Sequence, residues 1–209
     1  MDLRNQRTDY SKGILSEENA GNNPFDLFRN WFENANQTEA EANAMVLSTI
    51  FENQPHSRIV LLKELIDDTF VFYTNYLSDK GKAITQNNNV SLLFFWQQNQ
   101  QQVRIEGIAE KVSSSTSDEY FYSRPIESQI GAIASMQSSV LTNREWLEKK
   151  VEELSEYYKT HKIIRPEHWG GYAVFPSKIE FWQGRSSRLH DRIVFEKINN
   201  EWSKKRLSP

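Results

Sequence analysis

The chain has 209 residues, a formal net charge of −3 and no cysteine. That length holds one sizeable core, and the missing thiols exclude disulfides, thiolate nucleophiles, Fe–S clusters and Cys-based zinc sites. The acidic balance excludes a general attraction to nucleic acid or anionic membranes, so any anion must be met by locally clustered Lys and Arg.

Residues 1–22 are polar and unpatterned and read as a mobile arm, leaving 23–209 as a single domain. A helix follows, with Asn23 as cap, Pro24 at its first position and Phe25, Phe28 and Phe32 along one face. Strand patterning then recurs at 44–51, 57–65, 70–75, 90–96 and 102–112, broken by turn-rich segments such as "ENQP" and "IDDT". A short helix is expected over 79–87, and two more over "TSDEYFYSR" and "IESQIGAIAS", divided by Pro125. The longest helix is expected over 143–160. There Thr142 and Glu145 suit a capping box, and Trp146, Leu147, Val151, Leu154 and Tyr158 make an apolar stripe. "GYAVFP", "KIEFWQG", "LHDRIVFEKI" and "EWSKKRL" form a closing antiparallel set. Strands on both sides of a helical middle indicate an α+β domain, an antiparallel barrel flanked by helices. The longest apolar runs are strand-sized, with neither a signal peptide nor a membrane span, so a cytoplasmic protein is expected.

No dinucleotide fingerprint, P-loop or nucleophile elbow is present. The four histidines, His56, His161, His168 and His190, have no metal-ligand spacing, so no metal is expected. What stands out is a set of cations in strand-like or aromatic surroundings: Arg58, Lys63, Lys80, Arg124 and the cluster "RSSRLHDR" at 185–192. A buried cation is costly unless paired, so such residues either reach solvent or meet an anion.

Taken in order, "RIVLLK" (58–63), "VFYTN" (71–75), "VSLLFFW" (90–96), "QVRIEG" (102–107), "YFYSRP" (120–125), "SQIGA" (128–132), "QSS" (137–139), "WGGY" (169–172), "IEFWQG" (179–184) and "RLHDR" (188–192) closely resemble the pyridoxamine 5′-phosphate oxidase family. The resemblance runs from about Arg7 to Pro209 and implies an FMN-binding split β-barrel with flanking helices, acting as a homodimer with FMN at the interface. It implies oxidation of pyridoxamine 5′-phosphate and pyridoxine 5′-phosphate to pyridoxal 5′-phosphate, with dioxygen reduced to hydrogen peroxide. FMN would be held by Arg58, Ile59, Val60, Leu61, Leu62, Lys63, Tyr73, Thr74, Lys80, Gln102, Gln137, Ser138, Trp182 and Arg192. Lys63, Tyr120, Arg124 and Ser128 would take the substrate phosphate, with Arg7 and Tyr10 in a lid over the substrate. Arg188 and His190 would bind the substrate at its reacting side, and with Arg192 they form the implied catalytic group.

Physical chemistry supports these roles in kind. Two phosphate monoesters, each of about −1.5 to −2 charge, need neutralising, and arginine's planar fork suits phosphate oxygens. If 188–192 is a strand, alternation puts Arg188, His190 and Arg192 on one face, with Leu189 opposite. Arg58 and Lys63 are five apart and would face opposite ways on a straight strand, so either a bulge or a cofactor wrapped around the strand end is required. The family's Ser-Arg-Lys is replaced by Ser78-Asp79-Lys80, and Asp79 is expected to turn from the phosphate and cap the short helix. Two other function classes fit less well: a split-barrel FMN or pyridoxal phosphate binder without turnover, disfavoured by the intact Arg188, His190 and Arg192, and an oligonucleotide-binding barrel, disfavoured by the acidic balance.

Overall fold

The structure, a computed structural model, describes residues 1–5 and 8–209. In chain order it contains α1 (Pro24–Thr38), β1 (Ala44–Phe51), β2 (Gln54–Leu61), β3 (Glu64–Ile66), β4 (Thr69–Asn75), α2 (Asp79–Gln86), β5 (Asn89–Trp96) and β6 (Gln101–Lys111). There follow α3 (Ser114–Ser123), α4 (Ile126–Ala134), α5 (Arg144–Tyr157), β7 (Trp169–Gln183), β8 (Asp191–Ile198) and β9 (Glu201–Leu207). All strand pairings are antiparallel.

Three hairpins close through two-residue turns whose residues both have positive φ: Glu52-Asn53, Asp67-Asp68 and Asn199-Asn200. This geometry matches the right-handed twist of paired strands, and Asn and Asp tolerate it best after glycine. The sheet runs β2-β1-β5-β6-β7-β4-β3, with β9 paired to β8 and β8 to β7. β7 is one strand of 15 residues, not the two expected: Pro176 pairs with Gly107 where the β6–β7 register shifts, with Ser177 as the extra residue of a bulge. One edge of β7 pairs with β6 along 172–183. The other is shared, with β4 along 169–174 and β8 along 178–183, so the sheet forks and stays open as a split barrel.

The core is aromatic. Phe25 and Phe28 of α1 pack on Phe70, Phe94 and Trp96, all nearly inaccessible to solvent, and Trp96 donates its indole N–H to the Ala42 carbonyl at 2.9 Å. Asn23 caps α1 by accepting from Phe25 N, as expected. The cap of α5 is Asn143, accepting from Trp146 N, in place of the expected Thr142. The α5 stripe is only half covered, with Trp146 47% exposed and no residue of the helix buried.

The expected arm is packed down over its second half. Leu15 and Ala20 are each 2% exposed and belong to the core, because Gln100, Asp191, Lys204 and Arg206 bond the backbone between residues 9 and 21. No helix among the described residues is long and apolar enough to cross a membrane.

Candidate active site

A cleft of about 710 Å³ opens between the end of β2, β4, α3 and α4. Of the expected site residues, it brings together Ile59, Val60, Leu61, Lys63, Tyr73, Thr74, Lys80, Tyr120, Arg124, Ser128 and Gln137. Among the described residues, no carboxylate lines it.

Local geometry explains the arrangement. β2 ends at Leu61, and the chain then bends so that Leu62 N donates to the Asn43 carbonyl and Lys63 N to that of Val71. This bend removes the parity conflict between Arg58 and Lys63. It also turns Leu62 into the core, 7% exposed, instead of the cleft. Arg58 lies outside the lining and donates through Nη1 to the Leu47 and His56 carbonyls and the Thr49 hydroxyl.

Tyr73, Tyr120 and Trp169 form a parallel stack, Tyr73 to Tyr120 at 3.9 Å and Tyr73 to Trp169 at 5.7 Å between centroids. Glycine at 171 makes room for this stack, since a Cβ there would lie 2.8 Å from the Tyr73 ring. Tyr73 donates to Glu64 at 2.6 Å, and burial together with that bond holds its phenol proton on well above the ordinary range.

Arg124 lies over Trp169 at 4.7 Å, and its Nη1 is buried without a hydrogen-bond partner. Burial lowers its pKa. An unpaired buried guanidinium nitrogen is costly, so this is the position in the cleft most in need of an anion. α4 follows directly, with Pro125 as N-cap, no side-chain cap bond, and the Ser128 amide donating to the Pro125 carbonyl at 2.9 Å.

At the other end of the cleft, Gln137 Oε1 accepts from Thr74 Oγ1 and Lys80 Nζ, both at 3.2 Å. Burial, then the nearby Arg58, lower the Lys80 pKa, and Asp79 raises it. Ser78, not Asp79, caps α2, accepting from Gly81 N. Asp79 is the exposed first residue of that helix, its backbone N–H donating to Ser138 Oγ. Ser138 thereby sits beside the Lys80 group.

The remaining expected residues form a second group. Gln102, Trp182 and Arg192 are direct partners across β6, β7 and β8, so they share one face of the sheet. His190 packs against Trp182 at 4.5 Å, and Tyr10 meets both rings edge-on. The expected strand alternation through Arg188 and His190 does not hold. Residues 186–188 form a 3-10 turn with Ser187 and Arg188 at positive φ, and β8 begins only at Asp191. His190 is placed by that turn: its Nδ1 accepts from Arg185 N at 3.1 Å, which leaves its proton on Nε2. Burial and the Arg188 charge lower its pKa. Arg192 donates to the buried Glu180 at 2.9 Å. Arg7 lies outside the described residues.

Trp169 and Trp182 stand near opposite ends of the 15-residue β7. None of Gln102, Trp182, Arg188, His190 and Arg192 lines the cleft, so the expected site residues of one chain fall into two separate groups. The lining also holds six residues not expected from the sequence, Asn75, Pro125, Gly131, Ala132, Ser135 and Trp169, although all but Ser135 stand inside the segments quoted above.

Fold and geometry together define a split-barrel protein with a cationic cleft shaped for an anionic ligand. The family model described as pyridoxamine 5′-phosphate oxidase matches residues 32–158, and the model of the pyridoxine 5′-phosphate oxidase C-terminal dimerisation region matches 169–209. A pyridoxine/pyridoxamine 5′-phosphate oxidase of Leptospira biflexa is 53% identical over 100% of this chain and 99% of its own. One from Actinobacillus pleuropneumoniae is 50% identical over 100% of both chains. The crystal structure of PhzG from Burkholderia lata, in complex with tetrahydrophenazine-1-carboxylic acid, superposes with a TM-score of 0.87 at 30% identity, covering 94% of this chain and 98% of that one. The chain belongs to the pyridoxamine 5′-phosphate oxidase family and carries that family's dimerisation region.

Proposed function

We propose that this chain is a cytoplasmic, homodimeric, FMN-dependent oxidase. It converts pyridoxamine 5′-phosphate and pyridoxine 5′-phosphate to pyridoxal 5′-phosphate, with dioxygen reduced to hydrogen peroxide; the amine route also consumes water and releases ammonia. The observation that supports this most is the partnerless Arg124 Nη1 in a cleft holding Lys63 and Lys80 and, among the described residues, no carboxylate.

The residues present fit FMN. Lys80, Thr74, Gln137 and Ser138 offer a cation, two hydroxyls and an amide for its phosphate, and the β2 end from Ile59 to Leu61 lines the same cleft. Gln102, Trp182 and Arg192 would complete the cofactor's surroundings from the second copy. When bound, FMN supplies the two-electron redox chemistry that no side chain provides.

Lys63, Tyr120, Arg124 and Ser128 hold the substrate phosphate, and the Tyr73–Tyr120–Trp169 stack fixes that wall of the cleft. His190 of the partner subunit is a neutral Nε2–H donor and Arg188 of the partner subunit a nearby cation. Together they orient the substrate at its reacting side. The test is to purify the chain, record its visible spectrum for bound flavin, and follow aldehyde and peroxide when pyridoxine 5′-phosphate is added in air. Stoichiometric aldehyde and peroxide are expected. A flavin-loaded chain that forms neither would contradict the proposal.

A further inference from the structure

We infer that Arg206 and Glu17, neither of which lines the cleft, are positioning residues that set where Tyr10 and His190 sit. This rests on the oxidase reading. Residues 10–21 form no helix or strand, yet they cross the ends of β7 and β8 as a strap with two fastenings.

One fastening is an amide. Gln100 Oε1 accepts from Ser11 N and Lys12 N, and its Nε2 donates to the Asp9 carbonyl.

The other is ionic. On β9, Arg206 makes a two-pronged pair with Glu17, Nε to Oε1 at 2.7 Å and Nη2 to Oε2 at 2.8 Å. The same guanidinium donates to Asp191 Oδ1 and to the Leu15 carbonyl, both at 2.9 Å. Asp191 in turn accepts from Leu15 N at 3.1 Å and lies 3.5 Å from Arg185 Nη1. Arg185 closes the circuit, donating through Nη1 to the Gly13 carbonyl and through its backbone N–H to His190 Nδ1. The Arg206 contact holds the Glu17 carboxyl down to about 2, in agreement with the geometry.

A bidentate arginine–carboxylate pair fixes orientation as well as distance. Here it sets the strap and the 185–191 turn relative to each other. Tyr10, the strap's one aromatic residue, is thereby brought against Trp182 and His190. Glycine at 184 leaves the space for it, since a Cβ there would lie 2.8 Å from the Tyr10 ring. Neither Arg206 nor Glu17 lines the cleft, so any effect on turnover travels through Tyr10 and His190.

The test uses the FMN-loaded full chain with Arg206→Gln and, as the conservative control, Arg206→Lys. Three quantities are read: amide hydrogen exchange at Leu15, the NMR positions of the His190 ring protons, which feel the Trp182 and Tyr10 ring currents, and KM against kcat for pyridoxine 5′-phosphate. For Arg206→Gln, Leu15 exchange should rise at least about tenfold. The His190 signals should move, and KM should rise on the order of tenfold with a smaller change in kcat. Arg206→Lys keeps the charge without the fork and should fall between Arg206→Gln and the wild type; if Arg206→Gln fails to fold, it decides alone. Unchanged Leu15 exchange and His190 signals would overturn the inference, as would a loosened strap with wild-type KM. A wild-type chain with no oxidase activity would sink the underlying functional reading instead, and the exchange and NMR measurements would still decide the clamp.

Discussion

Replacing Arg124 with Met should weaken substrate binding while leaving the ligand-free protein as stable as before, or more so. Met keeps an unbranched side chain over Trp169 and removes the guanidinium whose Nη1 is buried without a partner. Relieving an unmade buried hydrogen bond is worth about 1–3 kcal/mol. Losing the cation–π contacts with Trp169 at 4.7 Å and Phe121 at 6.0 Å costs about 0.5–2 kcal/mol. The first outweighs or balances the second, so the ligand-free variant should melt no lower than the wild type, and up to a few degrees higher for a chain of this size. With a phosphate ester bound the sign reverses. Two charge-assisted bonds of about 1.5–3 kcal/mol each are lost, and roughly 3 kcal/mol corresponds to about a hundredfold in KM. Thermal unfolding of the ligand-free protein, paired with steady-state kinetics on pyridoxine 5′-phosphate, tests both halves. A variant with wild-type KM, or one destabilised by more than about 2 kcal/mol without ligand, would refute the assignment of Arg124 as a cation awaiting an anion.

Asp79 is exposed in the first turn of α2, and its charge acts on both Arg58 and Lys80. Asp79→Asn should therefore tighten FMN binding a few-fold at low salt, with the gain shrinking as salt screens it; equal affinities for variant and wild type in apoprotein titrations at low ionic strength would place Asp79 outside the phosphate's field. His190 has its pKa lowered by burial and by Arg188, so its neutral form persists below the ordinary value of about 6.5. The acid limb of kcat/KM assigned to His190 should lie below that pH and vanish in His190→Gln. Because the unfolded chain binds this proton more readily, His190's share of stability is lost as pH falls through about 6.5. An acid limb above pH 6.5 that His190→Gln abolishes would contradict this.

Strand patterning located β1, β4, β5 and β6 to within a residue or so: β1, β5 and β6 alternate between the core and a more open face, while β4, buried on both faces, is marked by its apolar run between turn-rich flanks. The same period misplaced Arg188 and His190. "RLHDR" alternates like a strand, but left-handed backbone at Ser187 and Arg188 ends that register before β8 begins. Pro176 reads as a break in the sequence, but it lies at a bulge beside Ser177 through which β7 continues. Polar composition made residues 1–22 look unattached. The groups that bind the second half, Gln100, Asp191, Lys204 and Arg206, are about 90 to 190 positions away, beyond any local pattern. The cleft residues were legible through the family resemblance more than through spacing: Lys63, Tyr120 and Arg124 come from a bend and a helix, with no shared period to connect them.

On the proposed function, each site is built from the cleft of one copy and the 182–192 group of another, since no residue of that group lines the cleft of its own chain. Mixing two impaired variants tests it, assayed at a substrate concentration far below the KM of Arg124→Met, where each alone is nearly silent. Arg124→Met disables the cleft and His190→Ala the other half, so a mixed dimer contains one doubly damaged site and one intact site. After unfolding and refolding the two together, half the dimers should be mixed, and activity should return to about one quarter of the wild-type value. Activity no higher than the average of the two variants alone, with mixed dimers shown to be present, would mean that each chain builds its own site.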